Sequence, residues 1–321
     1  LPTPEKFHYT FNLRDVAKVI QGVSMAGKQS VFTLEGMLRL WVHECQRVFS
    51  DQFVHDDAQD ETRFRELLMN KLTECFSQDW GNVMHDAMSA KTGPLFSAVL
   101  SQPESEALVY EEFTDMNSLR ATIEERLEDY NSEAKVIAMN LVLFTDAIHH
   151  VCRIHRILIQ PRGNAMLIGV GGSGRQSLAR LAAYIAGYQT FSIQITKHYR
   201  INEFREDLKS LFRIAGCENR NTMFLFNDNQ IKDELFLEDI NNILSTGEVP
   251  NLFAKDEIVA IFDAIRSDAA AVGADDSHDK LWRFFISRVR AKLHIVLAVS
   301  PIGSALRNRC RMYPGLVNYT T

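Results

Sequence analysis

The sequence has no apolar run approaching the ~20 residues that a membrane helix requires; the longest clean stretch, Leu293–Val299, is short and carries a histidine inside it. It has no surplus of basic charge. The 35 Lys and Arg stand against 41 Asp and Glu, a net charge of −6, so neither a nucleic-acid surface nor an anionic-membrane anchor dominates the chain. Its five cysteines, Cys45, Cys75, Cys152, Cys217 and Cys310, form no CxxC pair and no Cys/His cluster. Each has apolar neighbours, so all five are expected as buried thiols packing like small hydrophobes in a reducing cytosol. Internal repeats and low-complexity stretches are also absent. There is no initiator Met or signal sequence before Leu1-Pro2-Thr3-Pro4, and the chain closes at Thr320-Thr321 after a strand and turn. A piece of a longer polypeptide is expected.

What is present is ordinary globular material: 321 residues, 46% hydrophobic and 24% charged. That length suggests two units. The first hundred residues read as helical. Leu34, Met37, Leu38, Trp41, Val42, Cys45, Val48 and Phe49 fall at helical spacing and make one wide apolar stripe. Phe64, Leu67, Leu68, Leu72, Cys75 and Phe76 make a second stripe after an acidic loop around Asp56–Glu61. Asn12–Val23 predicts a shorter helix before the Gly27-Lys28 break. Between Asp79 and Glu106 the chain turns polar, with Gly81, Gly93-Pro94 and Pro103 as breakers. The domain boundary is placed there, giving a helical unit over 1–103 and a second unit over 104–321.

The second unit changes character. A long helix is predicted over Ser132–Leu158, with Val136, Met139, Leu143, Ile154 and Leu158 inward, stopped by Gln160-Pro161-Arg162-Gly163. Short apolar strands then alternate with helices: Ala165–Ile168, Gly174–Ala186, Thr190–Ile195, Asn202–Ala215, Thr222–Phe226, Leu237–Ser245 and Ile295–Val299. This rhythm is that of βα units around a buried parallel sheet.

The most informative string is Ala165-Met166-Leu167-Ile168-Gly169-Val170-Gly171-Gly172-Ser173-Gly174-Arg175-Gln176-Ser177-Leu178. A buried strand, glycines five apart, a cation and a hydroxyl opening a helix make a P-loop in outline. Glycines let backbone N–H groups curl around phosphate oxygens, the helix N-terminus adds partial positive charge, and the cation reaches the terminal phosphates. Two positions depart from the pattern. Arg175 stands where Lys is usual, exchanging a compact ammonium for a planar fork. Gln176 takes the Ser/Thr place that ligates Mg2+, with Ser177 displaced by one. An ordinary glycine-rich turn also produces part of this string.

The partner motif is an apolar strand ending in an acid, and Met223-Phe224-Leu225-Phe226-Asn227-Asp228 fits, with Asp228 placed to help hold Mg2+. The next position would carry the Glu that activates water. Here it is Asn229, and an amide cannot take a proton, so general-base catalysis is expected to be lost or severely weakened. Asp233 and Glu234 follow, either bent back as substitutes or simply acids favoured at a helix start. Ser300, ending the last strand before Pro301, is either a phosphate-sensing residue or a turn initiator. Arg309 and Arg311, in Arg307-Asn308-Arg309-Cys310-Arg311, are either surface charges at a helix end or arginine fingers reaching a neighbouring nucleotide.

These strings, with Phe236-Leu237-Glu238-Asp239-Ile240-Asn241-Asn242-Ile243-Leu244, Gly247-Glu248-Val249-Pro250-Asn251-Leu252-Phe253 and Arg309-Cys310-Arg311-Met312-Tyr313-Pro314, closely resemble the fourth AAA+ module of dynein heavy chains, axonemal ones in particular. Tyr9-Thr10-Phe11-Asn12-Leu13-Arg14-Asp15, with Leu40-Trp41-Val42-His43-Glu44, resembles the helical lid of the preceding third module. The resemblance covers nearly the whole chain. It implies an α/β fold of the P-loop AAA+ type, a three-layer parallel sheet with helices on both faces, preceded by a small all-helical lid. It implies ATP or ADP with Mg2+ as ligands, held by Gly169 through Leu178 and by Asp228, with Ser177 and Asp228 nearest the metal. It puts Arg14 at a second-sensor position toward the third module's nucleotide; a helix-start Arg paired with Asp15 is the plainer alternative.

The implied partners are the other AAA+ modules of the same heavy chain. Microtubules and the intermediate and light chains would be engaged through parts outside these residues, with no nucleic acid and no membrane. The implied location is the cytoplasm, cytoskeleton and cilium axoneme. The function expected is a regulatory or structural nucleotide site in a six-module ring, with weak or no hydrolysis. The competing readings are a ring spacer with an empty site and an independent AAA+ remodeller or small nucleotide kinase.

Overall fold

Short continuous apolar strands alternating with helices can bury both faces of a sheet only if helices cover both faces, and the computed structural model has that arrangement in its second half. The structure describes residues 11–27, 31, 33–50, 53, 58–76, 93–101, 108–133, 137–273 and 276–321. By contact the chain divides into two units, Leu1–Glu125 and Arg126–Thr321.

In the first unit three helices form around the stripes read from the sequence: α1 (Leu13–Met25), α2 (Leu34–Phe49) and α3 (Ala58–Cys75). Asn12 starts α1 with a reciprocal cap, its side chain accepting from Arg14 N while Asp15 accepts from Asn12 N. Thr33 caps α2 by accepting from Gly36 N at 3.0 Å. Such caps satisfy amides that the first helical turn leaves without partners. Val19, Leu38, Val42, Cys45, Val48, Leu68 and Leu72 close the core. The second stripe is narrower than expected, because Leu67 and Cys75 are exposed. Of the acidic loop, Asp56 and Asp57 lie outside the described residues, and α3 already begins at Ala58. The reading passed over a short antiparallel pair, β1 (Leu95–Ser97) with β2 (Glu111–Phe113). Much of the polar stretch around it also lies outside the described residues. The pair is held from α2: His43 bonds the Pro94 carbonyl and the Tyr110 hydroxyl, and Arg39 pairs with Glu112.

The division between the units falls inside α4 (Met116–Ser132). The single helix predicted over Ser132–Leu158 is corrected here. Residues 137–144 are not helical, and the helix α5 runs only over Thr145–Ile159. The cause is local. Asn131 donates from Nδ2 to Met139 O and accepts Met139 N at 2.7 Å, so its amide replaces the helical hydrogen bonds of that residue. Leu143, Ile154 and Leu158 are buried as expected, Met139 is half-buried, and Val136 lies outside the described residues.

Four parallel strands follow, β3 (Ala165–Ile168), β4 (Gln189–Phe191), β5 (Thr222–Asn227) and β6 (Leu293–Val299), in the spatial order β3-β6-β5-β4. Between them lie α6 (Arg175–Ile185), α7 (Ile201–Gly216), α8 (Leu235–Thr246), α9 (Lys255–Ala271) and α10 (His278–Lys292); α11 (Ala305–Met312) and α12 (Gly315–Asn318) close the chain. Phe224, Phe226, Ile295 and Leu297 face one core with Phe204, Phe236, Phe262 and Phe285 from α7 to α10. The alternate residues Met223, Leu225, Val296 and Ala298 are also buried, on the face that α6 covers with α5 packed behind it. That is a three-layer fold, as the sequence implied.

The α9–α10 hairpin was not anticipated. Its signal was there: Ile258, Ile261, Phe262, Ile265 and Ala269 keep helical spacing, as do Leu281, Phe285 and Val289. The hairpin leans on α7 where a Cβ on Gly216 would sit 2.2 Å from the Phe285 ring. The cysteines are corrected too. Cys45, Cys152 and Cys310 are buried, Cys217 is half-buried and Cys75 is exposed. Among the described residues no helix is long and apolar enough to cross a membrane.

His155 of α5 is 1% exposed and its Nδ1 has no hydrogen-bond partner. Burial lowers its pKa from 6.5 to about 4, and burial also lowers that of His294 in β6. The His155 ring stays neutral in the folded chain down to about pH 4, while the unfolded chain takes up a proton below pH 6.5. The stability is therefore complete above that pH and is lost as pH falls toward 4, by about 3 kcal/mol at most for His155. Urea unfolding across that window should lose midpoint steadily on acidification, and His155→Leu should flatten the dependence.

Candidate functional site

In a parallel sheet the strand ends leave backbone groups unpaired at one edge, and ligands collect there. β3, β6 and β5 are neighbours, so the loops leaving them meet. Gly169 N donates to Val299 O at 3.2 Å, tying the glycine loop to the end of β6. Ser300 N donates to Asp228 Oδ2 at 2.9 Å, tying the end of β6 to the end of β5. Three strings far apart in sequence thus become one edge.

The loop Gly169–Gly174 needs its glycines for different reasons. Gly172 and Gly174 have φ of +81° and +76°, conformations that cost a side-chain-bearing residue about 1–2 kcal/mol. Gly169 is small because a Cβ there would lie 2.9 Å from Ser173 Oγ. Gly171 and Gly172 have no atom within 4 Å of a notional Cβ, so their faces are open. Gly174 is the N-cap of α6 and supplies no side-chain acceptor to its first amides. An open glycine cradle over an uncapped helix start is the arrangement that accepts phosphate oxygens, so these residues fit the nucleotide that the sequence implied.

Around the cradle, Val170 is exposed, Leu178 is buried and anchors α6, Gln176 is exposed, and Ser177 is half-buried beside it. Arg175 folds back, donating from its guanidinium to the carbonyl of Val299 and to that of Val170. Asp228 is half-buried and offers a second carboxylate oxygen without a hydrogen-bond partner. Its neighbour Asn229 is exposed. Asp233 accepts from Leu235 N and Glu234 pairs with Arg309 at 2.9 Å, so both acids are engaged at the start of α8. The Ser300 hydroxyl accepts from Ile302 N, a turn contact. Arg311 is exposed on α11. In the first unit, Arg14 is exposed, and Asp15 is occupied by the cap of Asn12 and by Lys18 at 3.5 Å.

The sequence reading missed Gln230. Its side chain is 8% exposed. Gln230 Oε1 accepts from Asn227 N, and Nε2 donates to Ile193 O at 2.8 Å. It thus joins the turn that carries Asp228 to the segment leaving β4. The only signal was its place three residues beyond the strand end.

With this geometry in place, comparison with known proteins is decisive. The pattern of the family described as P-loop containing dynein motor region D4 matches residues 139–321, and that of the AAA+ lid domain matches residues 1–86. The chain belongs to the dynein heavy chains. It is 53% identical to the Dynein-1-beta heavy chain of the flagellar inner arm I1 complex of Chlamydomonas reinhardtii, and 49% and 43% identical to human Dynein axonemal heavy chains 2 and 6. All of this chain is covered in each case, and it spans 7–8% of the length of those relatives. In this dynein segment, the matched D4 region contains the whole edge built by Gly169, Asp228 and Ser300.

Gln230→Ala would leave the buried Ile193 carbonyl and the Asn227 amide without partners, at about 1–3 kcal/mol. Urea unfolding should register that loss, and hydrogen exchange should show faster exchange at the Asn227 amide with little change in the middle of β5.

Proposed function

We propose that this chain is a portion of the motor ring of an axonemal dynein heavy chain, an ATP-driven microtubule motor of the ciliary axoneme. In this reading residues 1–103 are the helical lid of the preceding module and 104–321 the large subdomain of the next. The module binds ATP or ADP as a regulatory or structural site, with weak or no hydrolysis. The supporting observation is the pairing of an open glycine cradle with an exposed Asn229 directly after Asp228.

The chain's own residues divide the work. Backbone amides of Gly171 to Gln176 cradle the phosphates, and the α6 dipole favours their charge. Ser177 and Asp228 would hold Mg2+, which when bound neutralises phosphate charge. Asp228 is oriented by Ser300 N, leaving one oxygen for that task. Asn229 can orient a water by hydrogen bonding but cannot accept its proton, so the hydrolytic step lacks its base. Arg309 or Arg311 is assigned to an adjacent module's nucleotide, where Arg309 would have to exchange its partly exposed ion pair with Glu234, an interaction worth little at a surface. Arg14 is assigned to the third module's nucleotide. The remaining AAA+ modules, microtubules and associated intermediate and light chains are partners of the whole heavy chain.

One observation favours the second reading, a ring spacer with an empty site. The Arg175 guanidinium lies on the carbonyls of Val299 and Val170. Nucleotide binding therefore requires that side chain to leave those carbonyls for the phosphates or to remain as a strut beside them.

Equilibrium titration with fluorescent ATP and ADP separates the two. Saturable binding, abolished by Gly174→Val, is expected; absence of binding at millimolar nucleotide would establish the spacer. On the same preparation Asn229→Glu should raise steady-state turnover on the order of 10²-fold. No gain despite intact binding would locate the defect at Gln176.

A further inference from the structure

The opposite end of the sheet carries a second feature that the nucleotide reading does not use. Below the N-terminal ends of β3 and β6 lies a cavity of about 220 Å³ whose lining includes Arg162, Arg290, Ile243, Leu244, Leu293 and Tyr319. Its floor is apolar: Ile243, Leu244 and Leu293 are each at most 7% exposed. Two arginines border this floor, and among the described residues neither makes a hydrogen bond or ion pair with a carboxylate. Arg290 is half-buried and Arg162 exposed; a half-buried cation beside apolar surface is normally matched by an acid, because partial desolvation without one is costly.

The side chain of Arg290 and the backbone of Arg162 are held in place. The stem of Arg290 lies flat on Gly247, where a Cβ would sit 2.5 Å from Arg290 Cγ and Cδ, and Gly247 is the left-handed C-cap of α8 at φ +84°. Arg162 sits at φ +60° in the turn that ends α5, an uncommon conformation for a residue with a side chain. Gly163, next to it, is fixed by the Ile157 carbonyl, 1.8 Å from a notional Cβ. The groups also act on each other. Burial first, and then the charge of Arg162, lower the pKa of Arg290, while Tyr319 and then Glu248 oppose this.

The size and lining select the ligand. The cavity is smaller than the roughly 300–1,000 Å³ clefts that take cofactors or drug-sized molecules. A free inorganic anion would meet the guanidiniums and make no contact with the apolar floor. A carboxylate side chain with an apolar neighbour satisfies both, the carboxylate accepting from the planar forks. We propose that this pocket docks an acidic segment of the same heavy chain, with an Asp or Glu between Arg162 and Arg290 and an adjacent apolar side chain on Ile243, Leu244 and Leu293. The choice of a tethered segment over a free protein follows from the 7–8% share of its relatives that this chain spans: a covalently linked segment acts at millimolar effective concentration and fills a shallow site first. This rests on the reading that the chain is part of a longer heavy chain.

The test uses the full heavy chain with a photo-crosslinking benzoylphenylalanine replacing Tyr319, which lines the cavity and is 38% exposed. After irradiation, peptide mapping should join this position to one segment outside residues 1–321 that contains Asp or Glu. Arg290→Gln, which keeps most of the stem on Gly247, should cut the yield about tenfold, and Arg290→Glu at least as much. Changing the captured carboxylate to Lys in the Arg290→Glu background should restore it. Cross-links confined to residues 1–321, capture of a separate polypeptide, or a yield indifferent to Arg290→Gln would each overturn the proposal. Labelled-ATP binding on the same preparations reads the other end of the sheet, so a failed nucleotide site and a failed docking site give different results.

Discussion

The hydrogen bond from Ser300 N to Asp228 Oδ2, together with that from Gly169 N to Val299 O, is the constraint on which the site depends. Each joins loops that leave different strands, and each exists only because β6 lies between β3 and β5 in parallel register. Shift that register by one residue and the strand faces exchange, burying what should face the loops. The aromatic core beneath holds the register. Phe204 and Phe236 stack at 4.3 Å, and Phe226 closes on Phe204 at 6.0 Å, so β5 is clamped against α7 and α8 directly below Asp228.

The same sheet has two chemically different ends. At the C-terminal edge, amides of a helix start and a carboxylate are left available around open glycines. At the N-terminal edge the helix and strand ends bring arginines together over apolar residues. A parallel arrangement produces this polarity directly, since all strands begin at one side and finish at the other. The two proposals are thereby separated spatially: the nucleotide site at one end of the sheet and the docking pocket at the other.

How much was legible can be judged from particular residues. The glycine loop was legible because its constraint is local: strand, positive φ and helix start follow one another within about ten residues. So was Asn229, since an amide in place of a carboxylate is a chemical fact that needs no coordinates. The helix over Ser132–Leu158 was misread because apolar periodicity continued through a segment where the Asn131 side chain took over the backbone bonds of Met139. The α9–α10 hairpin had the right spacing but no motif to draw attention to it. Gln230 was hard to find, because its buried partner Ile193 lies 37 positions away in the segment leaving β4, which only the sheet brings beside the end of β5.

The sequence by itself determined the fold class and the glycine loop, and it set the expectation that Asn229 leaves the site without a general base, because each follows from residue type and near-neighbour spacing. Tertiary structure alone decided which edge assembles the site, that Arg175 rests on strand-end carbonyls, that Glu234 answers Arg309, and that Arg162 and Arg290 share one cavity. These are meetings of side chains separated by some 70 to 130 positions, and such distances are closed only when strands pair and helices pack.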